Sequence, residues 1–186
     1  YLAKAGISCA LFERDIFPRE HVGESLVPSS TRVFKDLDFL PLMEEHGIAY
    51  YGAVGLLFKG WCLAALGEKA DAVAILERGM AAYRATGSRL YLTGFLRMTA
   101  EAMTQIGQIA HAERCLTESL ELLHSTGQRW DEAEIHRTCA RLHLIKGRRE
   151  EALAEFESSV RLAAAQGAGL WHLRAACDLA LLLAEQ

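Results

Sequence analysis

From about residue 50 onward, apolar residues recur at helical spacing, and glycines divide the pattern at a fixed interval. Gly47, Gly67, Gly87, Gly107, Gly127, Gly147 and Gly167 stand twenty residues apart. Between them lie stretches such as 150–166, where Leu153, Phe156, Val160 and Ala163 fall at i, i+3, i+7 and i+10. That spacing makes one stripe of an amphipathic helix. Glycine just past such a stripe suits a helix C-terminus, because it takes the left-handed conformation without a Cβ penalty. Each twenty-residue unit is therefore read as one helix and one turn.

Alternate turns resemble each other, so the full repeat is forty residues. Gly67-Glu68-Lys69-Ala70-Asp71-Ala72 matches 107–112 and Gly147-Arg148-Arg149-Glu150-Glu151-Ala152, whereas Thr86-Gly87 matches Thr126-Gly127. Within the helices, Gly60, Ala100, Ala140 and Ala180 keep a small residue at one position, and Ala72, Ala112 and Ala152 do so on the partner helix. Leu76, Leu116 and Phe156 supply a large apolar group one turn later, followed by Met80, Leu120 and Val160. Small opposite large at a fixed period is how stacked helical hairpins interlock. The pattern predicts a mainly all-α chain, a superhelical array of antiparallel helix pairs over residues 48–186.

Ala140, Gly147, Ala152 and Phe156 carry a small residue, a turn glycine seven on, an alanine five later and a large apolar residue after four more. This resembles tetratricopeptide repeats, although the period is forty residues instead of the usual 34. The longer variant looks like the helical arrays at the C-terminal end of large bacterial regulators with an ATPase or cyclase domain upstream. The resemblance implies a non-catalytic, cytoplasmic scaffold that holds a protein or peptide segment on its concave face. In such arrays the first helix of each pair lines that face. The register puts Leu57, Arg97 and Arg137 in one row and Trp61, Glu101 and Arg141 in the next. Trp61, Arg97, Glu101, Arg137 and Arg141 are thus the expected partner-binding residues, since arginine and tryptophan are enriched where interfaces hold their binding energy. The arginines favour a carboxylate-bearing segment.

The first quarter differs. All three prolines (Pro18, Pro28 and Pro41) fall there, which argues against long helices. Residues 7–13 (Ile7-Ser8-Cys9-Ala10-Leu11-Phe12-Glu13) read as a short apolar strand ending in an acid. Helix end, glycine, strand and acid form the second half of a dinucleotide-binding unit. Glu13-Arg14-Asp15-Ile16-Phe17-Pro18-Arg19 and the loop Gly23-Glu24-Ser25-Leu26 resemble flavin-dependent halogenases and related FAD oxidoreductases. By that resemblance Glu13 would hold the ribose, and Gly23, Glu24 and Ser25 would lie near the flavin. Residues 1–47 are thus read as a truncated, Rossmann-like α/β remnant. The glycine fingerprint that a pyrophosphate needs is missing from the sequence, as is the Trp-x-Trp-x-Ile-Pro segment of halogenases. No cofactor is expected for this chain as it stands, and FAD is expected if the first piece is completed. The opening Tyr1 in place of Met points to a piece of a longer protein. The rival reading is therefore a fragment of a halogenase-like or monooxygenase-like oxidoreductase, and a third is a fusion without selected function.

Composition narrows the classes further. With 51% hydrophobic and 24% charged residues the 186-residue chain is globular in balance. A net charge of −4 gives no general attraction to nucleic acid, and no apolar stretch reaches the roughly 20 residues of a membrane span. Five cysteines without a Cys-x-x-Cys pair suit buried free thiols in a reducing compartment. His136, Cys139 and His143 share one helix face. Their repeat counterparts Leu96, Thr99 and Met103 are packing residues, so packing and not metal is expected there. Asp131-Glu132 and Glu150-Glu151 open helices, where acids complement the dipole, and no catalytic constellation is expected. The last helix is polar only at His172, Arg174 and Asp178. A terminal repeat normally needs a polar outer face, so either the array continues or two chains pack end to end through this helix.

Overall fold

The computed structural model describes residues 48–184. Among the described residues there are seven helices and no strand: α1 (Ile48–Ala65), α2 (Lys69–Ala85), α3 (Leu92–Gln105), α4 (Ile109–Thr126), α5 (Glu132–Ile145), α6 (Arg149–Ala165) and α7 (Gly169–Ala184). The all-α expectation holds across them. The α/β remnant expected at 1–47 lies outside the described residues. None of the described helices is long and apolar enough to cross a membrane.

The glycine spacing sets the turns. Gly67, Gly87, Gly107, Gly127, Gly147 and Gly167 all have positive φ, between 66° and 83°. At Gly107 the glycine N–H donates to the Thr104 carbonyl at 3.1 Å, and Gln108 N–H donates to Met103 at 2.8 Å. At Gly147 the same two bonds run to Leu144 and His143, both at 2.9 Å. These paired bonds satisfy carbonyls that the helix end leaves orphaned. In the alternate turns threonine performs part of that task. Thr86 Oγ1 donates to Tyr83 O at 2.6 Å and accepts from Ser88 N–H, while Thr126 Oγ1 does the same between Leu122 O and Gln128 N–H.

Packing follows the small and large register. Ala72, Ala100, Ala112, Ala140 and Ala152 are all fully buried, as are Leu76 and Phe156 within about 1%. Helices pair as α1–α2, α3–α4 and α5–α6. Helix α5 packs against α4 before it, α6 after it, and both neighbouring first helices, α3 and α7. A hydroxyl repeats across two pairs: Ser119 Oγ in α4 donates to Thr93 O in α3 at 3.0 Å, and Ser159 Oγ in α6 donates to Ala133 O in α5 at 2.7 Å. The equivalent residue in α2 is Gly79, where an added Cβ would lie 3.0 Å from the Leu57 nitrogen. Those two helices therefore approach more closely. Aromatic rings fill the α1–α3 core, with Tyr83 against Phe95 at 4.9 Å and Tyr50 against Tyr83 at 5.4 Å.

The expectation of buried thiols is corrected in part. Cys115 and Cys139 are buried, and burial pushes their thiols up to about 11 and about 12. Cys62 and Cys177 are exposed.

Candidate functional site

The first helices carry a connected set of charges. Arg97 in α3 donates through Nε to Asp131 at 2.8 Å, and its NH1 lies 3.4 Å from Glu101 one turn on. Arg137 in α5 donates through Nε to Glu134 at 2.9 Å and through NH1 to Asp178 in α7 at 2.7 Å. Arg174 in α7 reaches Glu134 at 2.9 Å. Glu101 stands 3.9 Å from Arg137 and 3.8 Å from Arg141. Four arginines and four acids thus link α3, α5 and α7, and their charges cancel.

Their burial differs sharply, and that separates structural ties from available groups. The Arg137 side chain is 3% exposed and Glu134 is 1% exposed. Burial works against the Arg137 cation, but Glu134 and Asp178 outweigh it and hold its pKa above the usual arginine value. The Arg137 guanidinium, expected from its register to face a partner, is buried and paired within the array. Arg97 is also largely covered, with its Nε 2.8 Å from the buried Asp131 carboxylate. Burial raises the Asp131 carboxyl above the ordinary range despite the Arg97 cation beside it, and its Oδ1 has no hydrogen-bond partner. Arg141 is different, with 52% of its side chain exposed and only the loose 3.8 Å approach to Glu101.

Arg141 and Glu101 border a cavity of about 330 Å³ between α3 and α5, completed by Thr104, Gln105, Thr138, Leu144 and Ile145. Thr104 and Thr138 donate their hydroxyl protons to the carbonyls of Ala100 and Glu134 at 2.8 Å, which leaves the oxygens as acceptors. Arg141 and the Gln105 amide supply donors, and exposed Leu144 and Ile145 supply an apolar wall. Such a cleft suits a side chain or chain end with a carboxylate and an adjoining apolar group. Trp61 is half-buried against the core of α1 and α2, with its indole N–H unpaired.

Of the five expected residues, the structure gathers Arg97, Glu101, Arg137 and Arg141 around one another. Glu13, Gly23, Glu24 and Ser25 lie outside the described residues. Sequence reasoning missed Asp131, Glu134, Arg174 and Asp178. The available signal was in α7, where Arg174 and Asp178 are its only fully ionised side chains and stand four apart on one face. The face shared by His136, Cys139 and His143 is divided among neighbours. His136 Nδ1 lies 2.6 Å from Glu155 in α6, Cys139 is buried, and His143 lines a groove with α4. Among the described residues no group of three or more His, Cys, Asp or Glu could hold a metal ion.

Comparison with known proteins places one part of the chain. A short N-terminal stretch is similar to flavin-dependent halogenases. It is 53% identical over 45 residues to the 1H-pyrrole-2-carbonyl-[peptidyl-carrier protein] chlorinase of Pseudomonas fluorescens, covering 24% of this chain and 10% of that enzyme. It is 41% identical over 46 residues to the flavin-dependent halogenase armH3 of Armillaria mellea, covering 25% and 9%. With the flavin-dependent halogenase gsfI of Penicillium aethiopicum the identity is 38% over 58 residues, covering 31% and 10%. The chain thus spans about a tenth of the length of these relatives. No family model and no solved structure matches.

Proposed function

We infer that residues 48–186 form a non-catalytic, tetratricopeptide-like scaffold that binds a protein segment on the face made by its first helices. The observation that carries this reading is the cleft between α3 and α5. It combines an under-used arginine, amide and hydroxyl groups and an apolar wall on a helical framework that repeats every forty residues. The ligand class is a peptide segment with a carboxylate beside an apolar side chain. Random-peptide display on the full chain tests it. Selected peptides should carry that pair, shift the NMR signals of Thr104, Thr138 and Arg141, and bind about tenfold more weakly to Arg141→Ala, as expected for loss of a charge-assisted bond. Peptides that bind elsewhere, or equally well to the variant, would contradict it.

A second reading rests on the halogenase likeness of the N-terminal stretch. In it, residues 1–47 belong to an FAD-dependent oxidoreductase and supply Glu13 to the ribose and Gly23, Glu24 and Ser25 to the flavin. The scaffold reading ranks first because the likeness covers about a quarter of the chain.

A further inference from the structure

Pairing off the charges of α3, α5 and α7 leaves two groups over. Asp131 takes Arg97 at 2.8 Å. Glu134 and Asp178 take Arg137 at 2.9 and 2.7 Å, and Glu134 also takes Arg174 at 2.9 Å. Those cations and acids balance one another. Glu101 and Arg141 remain. Glu101 meets Arg97, Arg137 and Arg141 only at 3.4, 3.9 and 3.8 Å, so no guanidinium is committed to it. Both surplus groups line the same cleft of about 330 Å³ between α3 and α5. The surplus cation is 52% exposed and the surplus acid 15%.

We propose that Glu101 sets the charge specificity of this cleft, so that it takes a single carboxylate with a cation beside it and refuses a run of acids. The proposal rests on the reading that Arg141 receives a ligand carboxylate. A carboxylate held by the Arg141 NH1 at about 2.8 Å lies within roughly 7 Å of the Glu101 oxygen, which is itself 3.8 Å from that nitrogen. That separation is shorter than the roughly 8 Å screening length at physiological salt, so the two carboxylates feel each other. One ligand acid is accepted because it gains Arg141. A second acid next to it gains no further cation: Arg97 and Arg137 are largely covered and already paired, and Glu101 repels it. A neighbouring ammonium gains Glu101 instead. The threonines favour the same guest. Thr104 and Thr138 each spend a hydroxyl proton on a helix carbonyl, which leaves oxygen lone pairs on the cleft lining for a donor. Discrimination thus comes from a repulsive element as well as an attractive one.

The test uses three blocked peptides that share one neutral frame and differ in the residue before an Asp-Leu pair: Lys-Asp-Leu, Ser-Asp-Leu and Glu-Asp-Leu. Binding to the full chain is followed by the NMR shifts of Thr104, Thr138 and Arg141. The wild type should bind Lys-Asp-Leu best and Glu-Asp-Leu worst, about tenfold apart, and the gap should narrow as salt is raised. In Glu101→Gln, which keeps size and removes charge, the preference for lysine should be lost. Glu-Asp-Leu should then bind about tenfold more tightly than it does to the wild type. Equal binding of the three peptides by the wild type, or an unchanged order in Glu101→Gln, would overturn the proposal and leave the cleft reading intact. Failure of all three to bind, or binding indifferent to Arg141→Ala, would instead remove the cleft reading and this proposal with it. If Glu101→Gln fails to fold, the wild-type order and its salt dependence decide alone.

Discussion

The two ends of the array solve one packing problem with different chemistry. At the first pair, Leu57 is fully buried and Gly79 brings α2 against the α1 backbone. Forty and eighty residues later the equivalents of Leu57 are Arg97 and Arg137, and those of Gly79 are Ser119 and Ser159. The first end is dry and closely packed, and the far end is held by buried ions and hydroxyls. Burying a leucine stabilises by roughly 1.5–3 kcal/mol without further conditions. A buried ion pair contributes only while every partner stays in place. The difference teaches that the repeat prescribes backbone spacing and leaves the chemistry of each position free.

The largest test of this contrast is to give the far end the chemistry of the first. Arg137→Leu places a leucine where α1 has one, but it takes from buried Glu134 and from Asp178 the donor that each now shares. We expect a loss of about 3–5 kcal/mol in urea unfolding, as for a buried pair with one partner removed. Adding Glu134→Gln should recover part of it. A near-neutral single variant would mean that the ions are dispensable and the two ends equivalent.

The converse exchange is Gly79→Ser, which carries the far-end hydroxyl into the first pair. Its Cβ would stand 3.0 Å from the Leu57 nitrogen and 3.1 Å from the Leu56 Cβ. Overpacking of this kind costs about 1–3 kcal/mol, and a gain in thermal stability would show instead that the first pair opens freely to the far-end spacing. Ser159→Ala, which removes one hydroxyl bond to the Ala133 carbonyl, should cost about 1 kcal/mol by the same unfolding measurement.

The smallest effect is on pH dependence. Burial raises the Asp131 carboxyl, so its folded pKa lies above its unfolded value. Between those values the folded state binds more protons, and stability from this group falls as pH rises through the window. Ionised Asp131 therefore costs stability at neutral pH, and the cost is relieved as pH falls through its folded pKa. Carbon-detected titration should find Asp131 taking up its proton at higher pH than Glu113, whose carboxyl is held low by its bond to Lys146. Asp131→Asn should remove that step.

The turns and the hairpin register were legible because each rests on local chemistry repeated at a fixed interval. Gly107 and Gly147 end helices for a reason contained within six residues, and Ala100 and Ala140 announce close approach by size alone. The charge network was not legible, because its members come from helices 34 and 41 residues apart in Arg97–Asp131 and Arg137–Asp178. An arginine on an amphipathic helix reads as solvated until its neighbour's acid is known. For the same reason Asp131 and Glu132 read as dipole complements although both are buried. The cleft beside Arg141 was half visible: Glu101 and Arg141 stood out by register, but Thr104, Gln105 and Thr138 carry no signal in one sequence.

The most direct test of the account is whether the full chain retains flavin. The purified protein is mixed with FAD, passed through gel filtration, and its absorption recorded alongside its far-ultraviolet circular dichroism. The scaffold account predicts a colourless, strongly helical protein. A retained yellow flavin band in stoichiometric amount would contradict it and make the halogenase-like stretch a working cofactor site.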